Sequence, residues 1–348
     1  MKTSSVSSLS ISQAMRYSTM RTSSDLVKAQ KELDTGKVFD SGLALGARTA
    51  QTVTFARDIE RLNGIVDSNG LVSARLKATQ EALDNITGAA QDFLGVLTAS
   101  VSGDAAASVT RDSGRTALET LNSIINTPFN GEYIFAGINT DVKPLDGFAA
   151  GSPAKTAFDA AFLAHFTFAQ NDPQAASITA AQMDTFMTAA LEPQFLGAGW
   201  QANWSNATDQ KIVSRIALNE TTETSVSANN EGVQKLAMAA AAISDLFDSN
   251  LSAAGKQALA DRAVGLVGEA IASLAELQSQ TGVVEQRVTA ASERMQMQAD
   301  LFERSIIETE GVDPYEAANR VKDLLSHIET SYALTARIQQ LSLLRFLG

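Results

Sequence analysis

Apolar residues recur along this chain at steps of three and four, the spacing that lines one face of an α-helix. The longest run is Ile59, Leu62, Val66, Asn69, Val72, Leu76, Thr79, Leu83, Ile86, Ala90, Phe93 and Leu97. The step at Asn69 is shortened, a stammer that overwinds a supercoil locally. Asn69 itself reads as a solvated position at the edge of the stripe, although a polar residue inside a helical seam can also fix register. The pattern predicts one long helix ending near Gly103. A shorter helix over 109–125 follows, stopped by Asn126-Thr127-Pro128.

The second half mirrors the first. Residues 233–247 read as a helix closed by Asp248-Ser249-Asn250, and a long stripe then runs from Val264 through Leu274, Val288 and Met295 to Ile306. Gly311 and Pro314 break it. Asp313 is placed to cap a final helix, with Pro314 at its first position and Glu316 at its third. That last helix carries Val321, Leu324, Ile328, Ser331, Leu334, Ile338, Leu341 and Leu344, and the N-terminal arm offers Val6, Leu9, Tyr17, Met20, Val27 and Leu33 as a matching stripe. Two single helices cannot bury both sides of themselves. These twelve apolar positions, Ser331 and Val321 aside, are therefore expected to form an assembly interface with neighbouring subunits, and the ends to fray in a lone monomer.

Between the flanks the pattern changes. Five of six prolines (128, 144, 153, 173 and 193), nine of fifteen Phe, both Trp and Tyr133 fall in one window, so 1–127 and 194–313 are free of helix-breaking Pro. Gly131–Gly137 and 211–218 read as strands, 158–168 and 178–191 as short helices, and 220–230 as a strand or extended linker. The fold class expected is mainly α: long antiparallel coiled-coil-like helices from both flanks, with an inserted mixed α/β middle domain that has its own core. The divisions are an N-terminal arm or helix (1–45), a long-helix section (46–128), the inserted domain (129–230), a second long-helix section (231–312) and a C-terminal helix (313–348).

Composition mainly excludes chemistry. The 348 residues contain no Cys and two His, His165 and His327, which removes disulfides, thiolate zinc and thiol nucleophiles. No Walker A, G-x-G-x-x-G, G-x-S-x-G or H-E-x-x-H pattern is present, so neither a catalytic residue, a cofactor nor a metal is expected. His165, among Phe162, Phe166 and Phe168, reads as a packed imidazole, the Glu308/Glu310 pair as solvated surface, and Trp200 with Trp204 as core rather than a sugar or peptide platform. The net charge of −12 argues against nucleic acid, and no run of ~18 apolar residues suits a membrane span. That charge is uneven: residues 1–45 carry +2, 311–348 carry zero, and the body between them −14. Ends without net charge can crowd together with little repulsion. The first 24 residues hold twelve Ser or Thr and no acid, a poorly ordered arm with no apolar core of a cleaved secretory signal.

Four short motifs then point to a family. Ile338-Gln-Gln-Leu-Ser-Leu-Leu-Arg-Phe-Leu347 resembles the terminal segment of flagellar hook-associated proteins of the L type, the hook–filament junction proteins of the flagellin superfamily. Asp313-Pro-Tyr-Glu-Ala-Ala318 resembles that family's D-x-x-E-A element, Tyr133-Ile-Phe-Ala-Gly137 its Y-L-F-A-G signature, and Leu33-Asp-Thr-Gly-Lys37 its L-S-S-G-K. Tyr133, Phe135, Gly137, Asp313 and Glu316 carry the match. Val38–Gly46 departs from the acidic loop usual there. The resemblance implies an extracellular structural part of the bacterial flagellum, exported unfolded without a cleaved signal, and not an enzyme. Its implied partners are copies of itself in a ring, the first hook-associated protein on the hook side, flagellin on the filament side and a flagellar export chaperone. A flagellin-like filament subunit and a secreted coiled-coil adhesin are the alternatives.

Overall fold

The computed structural model describes residues 8–247 and 249–347. In chain order the helices are α1 (Ser8–Thr35), α2 (Ser41–Leu45), α3 (Thr49–Val101), α4 (Ala107–Ile125), α5 (Pro153–Phe166), α6 (Ala180–Thr185), α7 (Glu192–Phe195), α8 (Ala198–Asn203), α9 (Glu231–Leu246), α10 (Ala253–Glu310) and α11 (Pro314–Leu347). Two short hairpins interrupt them: β1 (Pro128–Phe129) with β2 (Glu132–Tyr133), and β3 (Val213–Ala217) with β4 (Glu220–Glu223). The architecture is the expected one, long helices in both flanks around a small mixed segment. The chain forms two compact units, one made of both ends (to Asn63 and from Gln296) and one of Gly64–Met295.

In the first unit α1 runs antiparallel to α11, and Phe55 of α3 stacks on Phe302 of α10 at 5.1 Å. The arm is thus helical from Ser8.

In the second unit, the predicted stripe of α3 turns inward from Leu76 to Leu97, with Thr79 the one polar member of that stretch. Its threonine hydroxyl returns to the Arg75 carbonyl at 2.9 Å, so burying it leaves nothing unpaired. Opposite lie Val267, Leu274, Thr281 and Val288 of α10, all buried, and Gln80 reaches the Gln278 carbonyl at 2.8 Å. The helix α9 is buried nearly all round: Leu236 to Ile243, including five alanines, have essentially no exposed surface. Alanine combines the best helix propensity with the smallest side chain, so α4 and α10 can approach it closely.

The middle segment differs from expectation in three ways. It has no separate core: Phe158, Phe162, Phe186, Phe195, Trp200 and Trp204 join Leu83–Leu97, Leu121 and Ile243 in one continuous cluster. The predicted strand over Gly131–Gly137 shrinks to Glu132–Tyr133, because its later backbone groups pair in different directions. Ala228 N–H donates to the Phe135 carbonyl at 2.7 Å and Thr208 N–H to that of Ala136 at 3.1 Å. The helix expected over 178–191 begins at Ala180, behind a reciprocal Thr179–Gln182 cap, and widens into a π-turn over Phe186–Leu191. Pro193, which lacks an N–H, follows at once and cannot continue the regular ladder.

Ion pairs tie the helices of this unit together. Lys155 Nζ lies 3.1 Å from Asp245 Oδ1 and also holds Asp159. Burial alone would lower the Lys155 pKa, but its hydrogen bonds and charge contacts with Asp159 and Asp245 outweigh that and raise it. Burial pushes the Asp245 carboxyl up, against the opposing pull of Lys155. Lys235 on α9 sits 2.7 Å from both Glu231 and Glu269; these bonds raise its pKa and lower that of Glu269.

Candidate assembly interface

The seam between α1 and α11 mixes aliphatic residues with small and hydroxyl-bearing ones. On α1 the side chains turned inward are Ile11, Met15, Thr19, Thr22, Leu26 and Ala29; on α11 they are Val321, Leu324, Ile328, Ser331 and Thr335. The hydroxyls cause no penalty there, because each bonds a carbonyl one turn back: Thr19 to Met15 at 2.9 Å, Ser331 to His327 at 2.7 Å, Thr335 to Ser331 at 2.8 Å. Across the seam Thr335 Oγ1 meets Met15 Sδ at 3.9 Å. Of the α1 positions only Ala29 is fully buried. Two helices touching along one thin seam remove little apolar area from water, so the pair is weakly held on its own.

The sequence stripe expected to match α11 is a different face. Tyr17 is 82% exposed, Met20 73% and Val27 60%, while Leu33 lies at its margin. The inner face was missed because Thr19, Thr22 and Ala29 interrupt its large apolar residues, Ile11, Met15 and Leu26. On α11, Leu324 and Ile328 face α1, whereas Leu334 is exposed and Thr335 takes its place in the seam. Val6 lies outside the described residues, as do the side chains of Leu9, Ile338, Leu341 and Leu344. Leu325 and Tyr332, seven apart on α11, are also exposed. A second apolar face therefore stands open on each helix.

The two helices are clasped where both flanks break. Gly36 ends α1 in a left-handed conformation, and Val312 N–H donates to its carbonyl at 3.0 Å. Val38 N–H donates to the Glu310 carbonyl at 2.9 Å, and Lys37 pairs with Glu310 at 3.6 Å. Glu310 is thus a half-buried partner rather than free surface. At Gly311 a Cβ would sit 2.3 Å from the Ile307 carbonyl oxygen, so only glycine closes α10 this way. Arg320 on α11 reaches Glu32 on α1 at 2.9 Å, and the Phe39 N–H donates to the same carboxylate at 3.1 Å. Asp313 caps α11 by accepting Tyr315 N–H at 2.8 Å, whereas Glu316 pairs with Arg320 at 3.1 Å instead of closing a capping box.

The remaining motif residues hold the second unit together. Tyr133 is half-buried, Phe135 is fully buried, and Gly137 packs against the backbone of Thr208 and Gln210. Both tryptophans are buried, stacked at 5.7 Å, and Trp200 Nε1–H donates to Asn229 at 2.9 Å. His165 rests edge-on against Phe166 and Phe186. Among the described residues no group of three His, Asp or Glu could hold a metal ion, and no helix is long and apolar enough to cross a membrane.

The chain matches the bacterial flagellin N-terminal helical region over residues 6–140 and the bacterial flagellin C-terminal helical region over residues 264–347. Comparison with curated proteins yields no match. Among solved structures, a candidate flagellar hook-associated protein from Vibrio parahaemolyticus is similar in fold, with a TM-score of 0.53 at 9% identity, over 76% of this chain and 97% of that one.

Proposed function

This chain belongs to the flagellin superfamily, and we propose that it is a structural subunit of the bacterial flagellum which forms a ring joining the hook side to the flagellin filament. The observation that carries this reading is the open apolar face on α1, Tyr17, Met20 and Val27, beside a seam to α11 too thin to hold the pair alone. A face of that kind is stabilised by other copies of the chain. Leu33, Leu334 and the terminal Ile338, Leu341 and Leu344 complete the proposed interface. Its neighbours in this reading are the first hook-associated protein, flagellin and an export chaperone, at the extracellular hook–filament junction. Members of the family are structural rather than catalytic.

Electron microscopy of a strain lacking this chain tests the position. Hooks without filaments support the junction role. Filaments of normal attachment but altered composition would assign the chain to the filament itself and overturn it.

A further inference from the structure

In the second unit a cavity of about 380 Å³ opens between α4, the 145–149 loop, α5 and α9, within the ~300–1,000 Å³ typical of small-molecule sites. Its floor is apolar and buried, formed by Leu118, Leu121, Leu145 and Trp204. Phe148, stacked on Trp204 at 5.3 Å, makes one wall.

The polar groups around it are of both kinds, and several lack a partner. Asn122 uses its oxygen to accept Asn126 at 2.7 Å, and its Nδ2 donates to no described group. Arg115 and Glu119 stand exposed one turn apart on α4, with no hydrogen bond or ion pair to another described residue. Asp245 holds Lys155 through Oδ1, while Oδ2 is buried and accepts no hydrogen bond of normal geometry. The Gln170 amide, bonded to Asp159 at 2.9 Å, adds only a weaker pull on that charge.

This set selects among ligand chemistries. An anion meets Glu119, Asp146 and Asp245, against Arg115 and an already neutralised Lys155. A simple cation makes no use of the Asn122 and Arg115 donors, and a wholly apolar ligand covers the Asp245 Oδ2 atom without pairing it. A sugar ring offers an apolar C–H face to the floor and hydroxyls that both donate and accept at the rim. We propose that this cavity binds a neutral saccharide of one or two rings, with hydroxyls bridging Arg115, Glu119 and Asn122 along α4 on one side and Asp245 of α9 on the other. The proposal stands independently of the ring assignment.

The two tryptophans line or adjoin the cavity, so their fluorescence reports occupancy in the full chain. Titration with N-acetylglucosamine, its β-1,4 dimer and hexamer, and the anionic N-acetylneuraminic acid is the test. The dimer should give a saturable change near a Kd of about 1 mM, weakened about tenfold in Glu119→Gln and in Asn122→Ala. The exposed, unpartnered Glu119 can be replaced without loss of fold, which a native thermal melt verifies. Tighter binding of the hexamer assigns the site to the end of a glycan; equal or weaker binding assigns it to the free sugar, and either supports it. Absence of saturation by monomer and dimer to about 50 mM overturns the proposal, as does binding of N-acetylneuraminic acid as tight as the dimer's. Unchanged affinity in both variants overturns it equally.

Discussion

The side-chain amide of Asn69 donates to the backbone carbonyl of Ile216 at 2.8 Å, joining residues 147 apart in sequence. The same amide reaches Ser292 Oγ at 3.0 Å, so one group pins the β3–β4 hairpin to both α3 and α10. Its position in the stripe is at 1% exposure, not on a solvated edge. Asn69→Ala leaves the buried Ile216 carbonyl without its donor, which costs about 1–3 kcal/mol. Urea unfolding should show that loss, and hydrogen exchange should quicken first in 213–223; equal stability would show that the hairpin holds without this bond.

Lys155 is the cation that makes a carboxylate tolerable at Asp245. Lys155→Met should destabilise by on the order of 2 kcal/mol at pH 7, since a charged group there loses its partner. The Asp245 pKa is raised in the fold, so its protonated form is favoured there and its ionised form is the costly one. The deficit of the variant should therefore shrink as pH falls toward 4. Denaturation midpoints of both proteins across that range are the measurement, and a deficit independent of pH would contradict the account.

The Lys235–Glu269 pair gives a two-sided pH dependence. The raised Lys235 contributes stability fully present below 10.5 and lost as pH rises through its higher folded value. The depressed Glu269 contributes stability present above 4.5 and lost as pH falls through its lower folded value. Lys235→Met should flatten both limbs of the stability–pH curve. A variant retaining the full alkaline loss would assign that loss elsewhere.

Gly137 lies at φ +68°, and a Cβ there would be 2.3 Å from the Thr208 carbonyl oxygen. Gly137→Ala combines backbone strain with a clash against main chain that cannot move aside, and should cost at least about 3 kcal/mol. Calorimetry would read this as a large drop in Tm. A small change would mean that the 205–210 segment can shift freely.

The triple variant Tyr17→Ser, Met20→Ser, Val27→Ser removes the open face of α1 without touching its seam to α11. Monomer melting should be unchanged within about 0.5 kcal/mol, as for exposed sites in general. Sedimentation or electron microscopy should show that assembly is lost. Assembly at the normal concentration would remove this face from the interface.

The long stripes, the Gly311–Pro314 break and the Asp313 cap were legible because each depends on local spacing or local backbone geometry. Val267 and Leu274 lie where a period of 3.6 puts them. Other features depend on distant segments. Asn69 could be read as seam or edge until Ile216 was placed beside it, and Glu310 until Lys37 was. The inner face of α1 was hidden by its chemistry, since Thr19 and Thr22 become compatible with burial only once their hydroxyls bond back to the helix. The cavity by α4 was not legible at all, because its walls come from five separate stretches of chain.

Met15 and Thr335 meet across 320 residues, a separation for which chain entropy favours one order of folding. Closing a loop of that length as a first event costs about 5 kcal/mol in chain entropy, far more than the α1–α11 seam returns. Pairing of α3 with α10 must shorten that loop first, so the hairpin of chain ends is the last part to form. In pulsed hydrogen exchange α9 should gain protection early and α1 late. A chain lacking α11 should lose helix from α1 as well, beyond the share of the residues removed. Until its last segment is available, such a chain has no partner for α1, which keeps the element that offers its open face to other copies incomplete for longest.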